Sequence, residues 1–278
     1  MNEVKTTFKR MALYYLLLAI SIIPCADFPD VFPLRNASAI YLLTLCVCLI
    51  LYYSHRVVPS GSLSFMMKSV SWMATLLILL RGIKYSAFSE VGILARHIWY
   101  LYYLPIMLIP LLLFYISLVV APKKDYRVSK GWRLFAVLTA IMIITVLTND
   151  LHQLVFSFNP GFANWDNDYS YGFLFYVITL WQYILYIAAI TILVIKCRIS
   201  SSKKNAWIII IPFVIGAVMI ALLFTGKMPT LKGTNIIEFP EALIFTLQLF
   251  LKAAFSLDLF RQTQTTQSFF KGFQFPPG

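Results

Sequence analysis

The stretch Ile98–Val120 reads IWYLYYLPIMLIPLLLFYISLVV and contains no charged side chain. A run of ~20 apolar residues wound as a helix crosses the hydrocarbon core of a bilayer. No water is available there for unpaired backbone groups, so only helices and closed barrels span it. A barrel would show short segments of alternating polarity. This run does not alternate.

Seven further hydrophobic segments lie to either side. In chain order the eight are Met11–Pro24, Ala37–Ser54, Leu63–Leu80, Ile98–Val120, Gly131–Leu147, Tyr171–Ile195, Ala206–Thr225 and Phe239–Leu257. The composition agrees, at 60% hydrophobic and 12% charged with a mean hydropathy of +0.79. A soluble domain would be about half apolar and a quarter charged. The expected fold is therefore all-α, a polytopic transmembrane helix bundle of seven to eight spans. Residues 1–36 form an N-terminal span or signal-anchor with a first loop, 37–246 the main bundle, and 247–278 a last span and short tail. The first segment follows Lys5, Lys9 and Arg10, as a signal peptide or a short first span would. Pro24, Cys25 and Ala26 fit a small-residue cleavage site poorly, which favours retention.

Basic residues give the orientation. With the N-terminus inside, 15 of the 23 Lys and Arg fall in inner loops, among them Lys123, Lys124, Arg127, Lys196, Lys203 and Lys204. Only Arg35, Arg81, Lys84, Arg96, Lys227 and Lys232 fall outside. That is the positive-inside pattern of a multi-pass cell-membrane protein. It accounts for the net charge of +12 without a nucleic-acid partner. The bilayer is the partner the composition demands. Cys46 and Cys48 lie within a span and Cys25 and Cys197 on opposite sides, so no disulfide framework or metal spacing follows.

Two constellations can carry chemistry. Arg96, Trp99, Tyr100 and Tyr103 recur at i, i+3, i+4 and i+7 and share one helical face. A cation beside three aromatic rings suits an anionic or aromatic ligand; the alternative is an interfacial belt at headgroup depth. Pro105 and Pro110 are expected to kink this helix. The second constellation closes the fifth segment, where Asn149 and His152 lie one turn apart, as do Asp150 and Gln153. These groups line a cavity or simply end a helix in water. Arg96, Trp99, Tyr100, Tyr103, Asn149 and His152 are the candidate ligand contacts. The loop Thr148–Ser170, free of Lys and Arg and rich in aromatics, reads as an ordered cap. Trp181, Gln182, Tyr183 and Tyr186 read as packing, with Gln182 able to bond between helices. No metal is expected, because no second histidine stands at ligand spacing. No cofactor is expected either, since a Gly-rich phosphate loop, Gly-x-Ser-x-Gly and His-Glu-x-x-His are all missing.

The run Arg96–Pro105 together with Thr148–His152 resembles the N-terminal seven-helix region of bacterial sensor histidine kinases. Asp168–Gly172 and Lys196–Ile199 share in the resemblance, which covers about Leu63 to Thr246. It implies membrane sensing of a small ligand, a signal passed inward to a kinase module, and a homodimer. Family members continue into a phosphoacceptor helix and an ATP-binding domain, which this sequence does not show before Gly278. Catalysis by this chain is therefore not expected. A small transporter or permease is the alternative, but no inverted repeat is visible. The last segment carries Gln248 and Lys252, with Asp258 at its end, polar groups that the earlier spans avoid. A nucleotide string encoding ESCIQxGLIPSNTNY, which related chains resemble here, can give Lys252–Thr266 when read one base later. A frame slip near Thr246–Gln248 is the expectation that follows.

Overall fold

A computed structural model describes residues 62–87, 92–120, 130–166, 168–199, 207–231, 234–235, 242–247 and 249–250. The segments Met11–Pro24 and Ala37–Ser54, the loop lysines 123, 124, 203 and 204, and the tail from residue 251 lie outside the described residues. The chain is an all-α polytopic membrane bundle. Three described helical stretches, Leu63–Arg81, Ile93–Val119 and Phe173–Lys196, are long and apolar enough to cross a membrane. Arg133–Leu147 and Ile210–Leu223 are shorter apolar helices.

In chain order, α1 is Ser62–Ala87, α2 Ile93–Leu101, α3 Tyr103–Val119, α4 Arg133–Leu147, α5 Asn149–His152, α6 Phe173–Ile199 and α7 Trp207–Phe224. Residues 242–247 contribute a further helix, α8, and Leu247, Leu249 and Phe250 are buried in the bundle. Helix α3 is the axis. Its buried residues, including Ile106, Ile109, Leu113, Phe114 and Ile116, cover all of its surface but a half-buried stripe of Leu104, Leu108, Leu112, Tyr115 and Val119, and it packs on both α1 and α6. The outer helices are apolar on the face they leave uncovered. In α4, Leu134, Val137, Ile141 and Ile144 form an exposed stripe opposite the buried Thr139, Ile143 and Val146. In water such a stripe would drive association; in lipid it meets a solvent as apolar as itself.

The helical hydrogen bonding breaks where proline chemistry puts it. Pro105 has no N–H to give the Leu101 carbonyl, and its ring crowds that turn. The helix is accordingly interrupted at Tyr102, whose N–H bonds the Trp99 carbonyl at 3.2 Å, one residue closer than α spacing. Pro110 sits inside α3 without ending it.

The segment after α4 is ordered, as expected of a cap, and it holds two strands that the apolar pattern did not announce. β1 (Phe156–Phe158) pairs antiparallel with β2 (Tyr169–Tyr171), Ser157 opposite Ser170. A second short pair, β3 (Thr230–Leu231) and β4 (Thr234–Asn235), lies between α7 and α8. Gly172, where β2 hands over to α6, is pressed on the Leu154 backbone so closely that a Cβ would collide with its carbonyl. Gly172→Ala should therefore destabilise the bundle by about 1–3 kcal/mol, read as thermal unfolding in lipid nanodiscs. An unchanged midpoint would show that the two segments do not touch. Gly216 plays a similar part between α7 and α8, its Cα lying against the Thr246 side chain.

Candidate functional site at the capped end

Helix α2 supplies the first half of the site. Arg96 is 4% exposed, a placement that a guanidinium tolerates only when paired. Its partner is Asp150 in α5. Nη2 donates to Oδ2 at 2.7 Å, and Nε donates to Oδ1 and Oδ2 at 3.1 and 3.2 Å. The Tyr100 hydroxyl, one turn along α2, donates to Asp150 Oδ1 at 2.6 Å. Burial alone would push the Asp150 carboxyl up. The hydrogen bonds from Arg96 and Tyr100, with the guanidinium charge, prevail and hold it below its ordinary value. The guanidinium carbon lies over the Phe162 ring, 3.8 Å from its centroid. Phe162 itself stands at φ 56°, a left-handed backbone that costs about 1–2 kcal/mol for a side chain of this kind. The stacking on Arg96 helps to offset that strain.

Asn149 provides the second half. It is fully buried, and both ends of its amide are committed. Nδ2 donates to the Phe156 carbonyl at 2.9 Å and to the Tyr100 hydroxyl oxygen at 3.3 Å. Oδ1 accepts from the N–H groups of Val155 and Phe156 at 3.0 and 3.1 Å. Asn149 thereby welds the first strand of the cap to α2. Around this polar knot, the Trp99 ring centroid lies 4.6 Å from Phe156, 5.8 Å from Trp165 and 5.2 Å from Tyr169. Tyr103 meets Phe156 at 5.5 Å. Lys84, near the end of α1, lies 5.2 Å over the Trp165 ring.

Of the six candidates, five come together: Arg96, Trp99, Tyr100, Tyr103 and Asn149. The aromatic residues pack under the cap. His152 does not join them. It turns the other way, with Nε2 3.0 Å from the Thr145 carbonyl and Nδ1 accepting from the Leu154 N–H at 3.0 Å. Gln153 likewise does not meet Asp150; its Oε1 accepts from the Phe158 N–H at 3.1 Å. Asp150, read as paired with Gln153 and left out of the candidate contacts, belongs to the cluster, as do the cap rings Phe156, Phe162 and Trp165, which sequence reasoning missed. A buried Arg asks for a carboxylate, but the chain carries 11 Asp and Glu, so the pattern alone could not choose among them.

The opposite end of α3 has a tie point of its own. Lys196 of α6 directs all three ammonium protons at the terminal carbonyls of α3, 2.7 Å to Ser117, 2.7 Å to Leu118 and 2.6 Å to Val120. Those carbonyls lack intrahelical partners and carry the negative end of the helix dipole, so a cation suits them. Close by, the Tyr115 hydroxyl donates to the Trp132 carbonyl at 2.7 Å, and Phe114, Trp132 and Phe135 pack as a second aromatic cluster. On α6, Trp181 is packing as expected and donates to Thr139 Oγ1 at 3.0 Å. Lys196→Met should lower stability by about 1.5–3 kcal/mol and raise amide exchange over 117–120. A loss confined to distant segments would contradict the tie.

The pairing of Arg96–Pro105 with Thr148–His152 is thus a physical unit, a helix end and the cap that closes it. The family model for the N-terminal 7TM region of histidine kinase matches residues 37–263. The chain belongs to that family. The match is wider at both ends than the Leu63–Thr246 resemblance. It holds the seven hydrophobic segments from Ala37 onward, and the first segment lies outside it. It also runs past Thr246, so the expected frame-slip point lies inside the matched interval. No curated protein and no solved structure matches this 7TM region. Membership makes the chain a membrane sensory region, and the family is the sensor part of such kinases, not the catalytic part.

Proposed function

We propose that this 7TM region reads a small ligand on the outer face of a bacterial cytoplasmic membrane and passes the signal inward along α2 and α3. The observation that carries this is the ionic anchoring of one near-continuous helical stretch, Ile93–Val119, at both ends. Arg96 and Asp150 hold the capped end, and Lys196 holds the other. A transmitter needs two arrangements that the ligand binds unequally. An anion reaching Arg96 would compete with Asp150 for the same guanidinium protons, and an aromatic group would compete for Trp99 and Tyr103. Either would loosen the cap and shift one end of the stretch against the other. In this reading seven spans form the sensor, and a homodimer transmits the signal to a kinase module. The nucleotide sequence beyond Thr246 tests whether that module is encoded in the neighbouring frame.

Hydrogen exchange in lipid nanodiscs, comparing the wild type with Asp150→Asn, tests the transmission. Weakening the clasp should lower protection in the cap and, by about tenfold, in residues 116–120 at the far end. A change confined to the cap would contradict inward signalling. Uptake of solutes into liposomes would favour a transporter instead. Incubation with ATP should leave no phosphate on this chain.

A further inference from the structure

The geometry points to a proton-sensitive latch at His152. We infer that the cap is fastened to the start of α6 only while this ring is neutral, so that acidification releases the joint. The Thr145 carbonyl can only accept, so Nε2, 3.0 Å away, must carry a proton. The Leu154 N–H can only donate, so Nδ1, 3.0 Å away, must present its lone pair. Both ring nitrogens are thereby assigned, and the arrangement fits one state, the neutral Nε2–H tautomer. A second proton would set an N–H on Nδ1 against the N–H of Leu154. Loss of the bond and repulsion then act together.

What the latch holds makes this consequential. Leu154 offers its N–H to His152 and its carbonyl to the Leu174 N–H at 3.2 Å, in the first turn of α6. Gly172 lies against the same carbonyl and donates its N–H to Val155 at 2.9 Å. Gln153, the link between them, holds a left-handed backbone at φ 50°, fixed by its N–H on the Asn149 carbonyl. Leu154 is therefore the joint between the end of α5 and the start of α6.

The groups around the ring leave histidine chemistry as the trigger. From α4 it meets the Thr145 carbonyl and, at 3.5 Å, the Thr148 hydroxyl; from the cap it meets the Leu154 amide. None of these is charged or titrates. On its own helix, Asp150 is clasped by Arg96 and Tyr100 and stays ionised through the neutral and mildly acid range. His97 of α2 is the other imidazole at this end. Its Nδ1 lies 2.9 Å from the Ile93 carbonyl and its Nε2 lies 3.8 Å from Asp150 Oδ2. Protonation there would add attraction to Asp150 and tighten the cap. The two histidines act in opposite directions, which makes them separable. The use of the latch as a sensory input rests on the proposed function, whereas its release is read locally, so either can fail without the other.

The test is hydrogen exchange of the full chain in lipid nanodiscs at about pH 7.5 and about pH 5.5, corrected for intrinsic rates. In the wild type, peptides bearing Leu154 and Leu174 should lose about tenfold or more of their protection at the lower pH. His152→Gln should remove that dependence, and His97→Gln should keep it. Unchanged wild-type protection would overturn the latch, as would a response that survives in His152→Gln or vanishes in His97→Gln. Nitrogen-15 spectra of the histidines in lipid provide a second readout that needs no variant at His152. They should show the neutral Nε2–H form at the higher pH and a doubly protonated ring as protection is lost. The Nδ1–H tautomer at the higher pH would refute the assignment.

Discussion

Asp150→Ala should lower the stability of the bundle by about 3 kcal/mol or more, measured by unfolding in lipid nanodiscs. The substitution strands the guanidinium of Arg96 in a site where only 5% of its side chain meets solvent. It also leaves the Tyr100 hydroxyl without the acceptor it reaches at 2.6 Å. Removing one member of a buried pair is costly because the other charge stays behind, not because the pair itself contributes much. The double change Arg96→Met with Asp150→Leu should consequently be milder than Asp150→Ala alone. A loss below about 1 kcal/mol in the single variant would mean a solvated surface bridge. The pH dependence follows from the depressed carboxyl. Its contribution is complete above the ordinary carboxylate value and is lost only as pH falls through the lower folded value. Acidification from neutral to about pH 5.5 should therefore leave the clasp closed.

Asn149→Ala should be at least as damaging, at about 3–5 kcal/mol, with the cap opening locally. The side chain is fully buried and serves three backbone groups of the cap, the N–H of Val155 and both polar groups of Phe156. Each group left buried without a partner costs about 1–3 kcal/mol. Asn149→Asp keeps the acceptor for two N–H groups but sets an anion against the Phe156 carbonyl, so it should not rescue. Protection of the 155–158 amides reports the outcome. Wild-type protection in Asn149→Ala would show that the strand is held by packing alone.

The fold was legible because lipid imposes one solution on long apolar runs. The segment ending at Val120 and the one opening near Tyr171 coincide with α3 and α6 to within a few residues. The break at Tyr102 was legible through Pro105, since a missing N–H has a fixed consequence. The shared face of Arg96, Trp99, Tyr100 and Tyr103 followed from helical spacing and holds. Spacing failed at the cap. Asn149 and His152 are one turn apart, but the left-handed Gln153 folds the chain back, so Asn149 meets Val155 and Phe156 while His152 meets Leu154 and, behind it, Thr145. Neither the β1–β2 pairing nor the choice of Asp150 for Arg96 has a local signature, because both depend on where a loop of about twenty residues returns. Lys196 was read as one more inner-loop cation. Its role on the last carbonyls of α3 needs the relative height of two helices, which composition does not contain.

The orientation of the cap is the hinge of the whole account, and thiol labelling in intact cells measures it. In a background with Cys25, Cys46, Cys48 and Cys197 replaced by Ser, single cysteines are placed at Ser157, exposed on β1, and at Ile187, exposed midway along α6. A membrane-impermeant maleimide should label Ser157→Cys without permeabilisation and should leave Ile187→Cys unlabelled. Labelling of Ser157→Cys only after the membrane is opened would put the cap on the inside and end the outward-facing sensor.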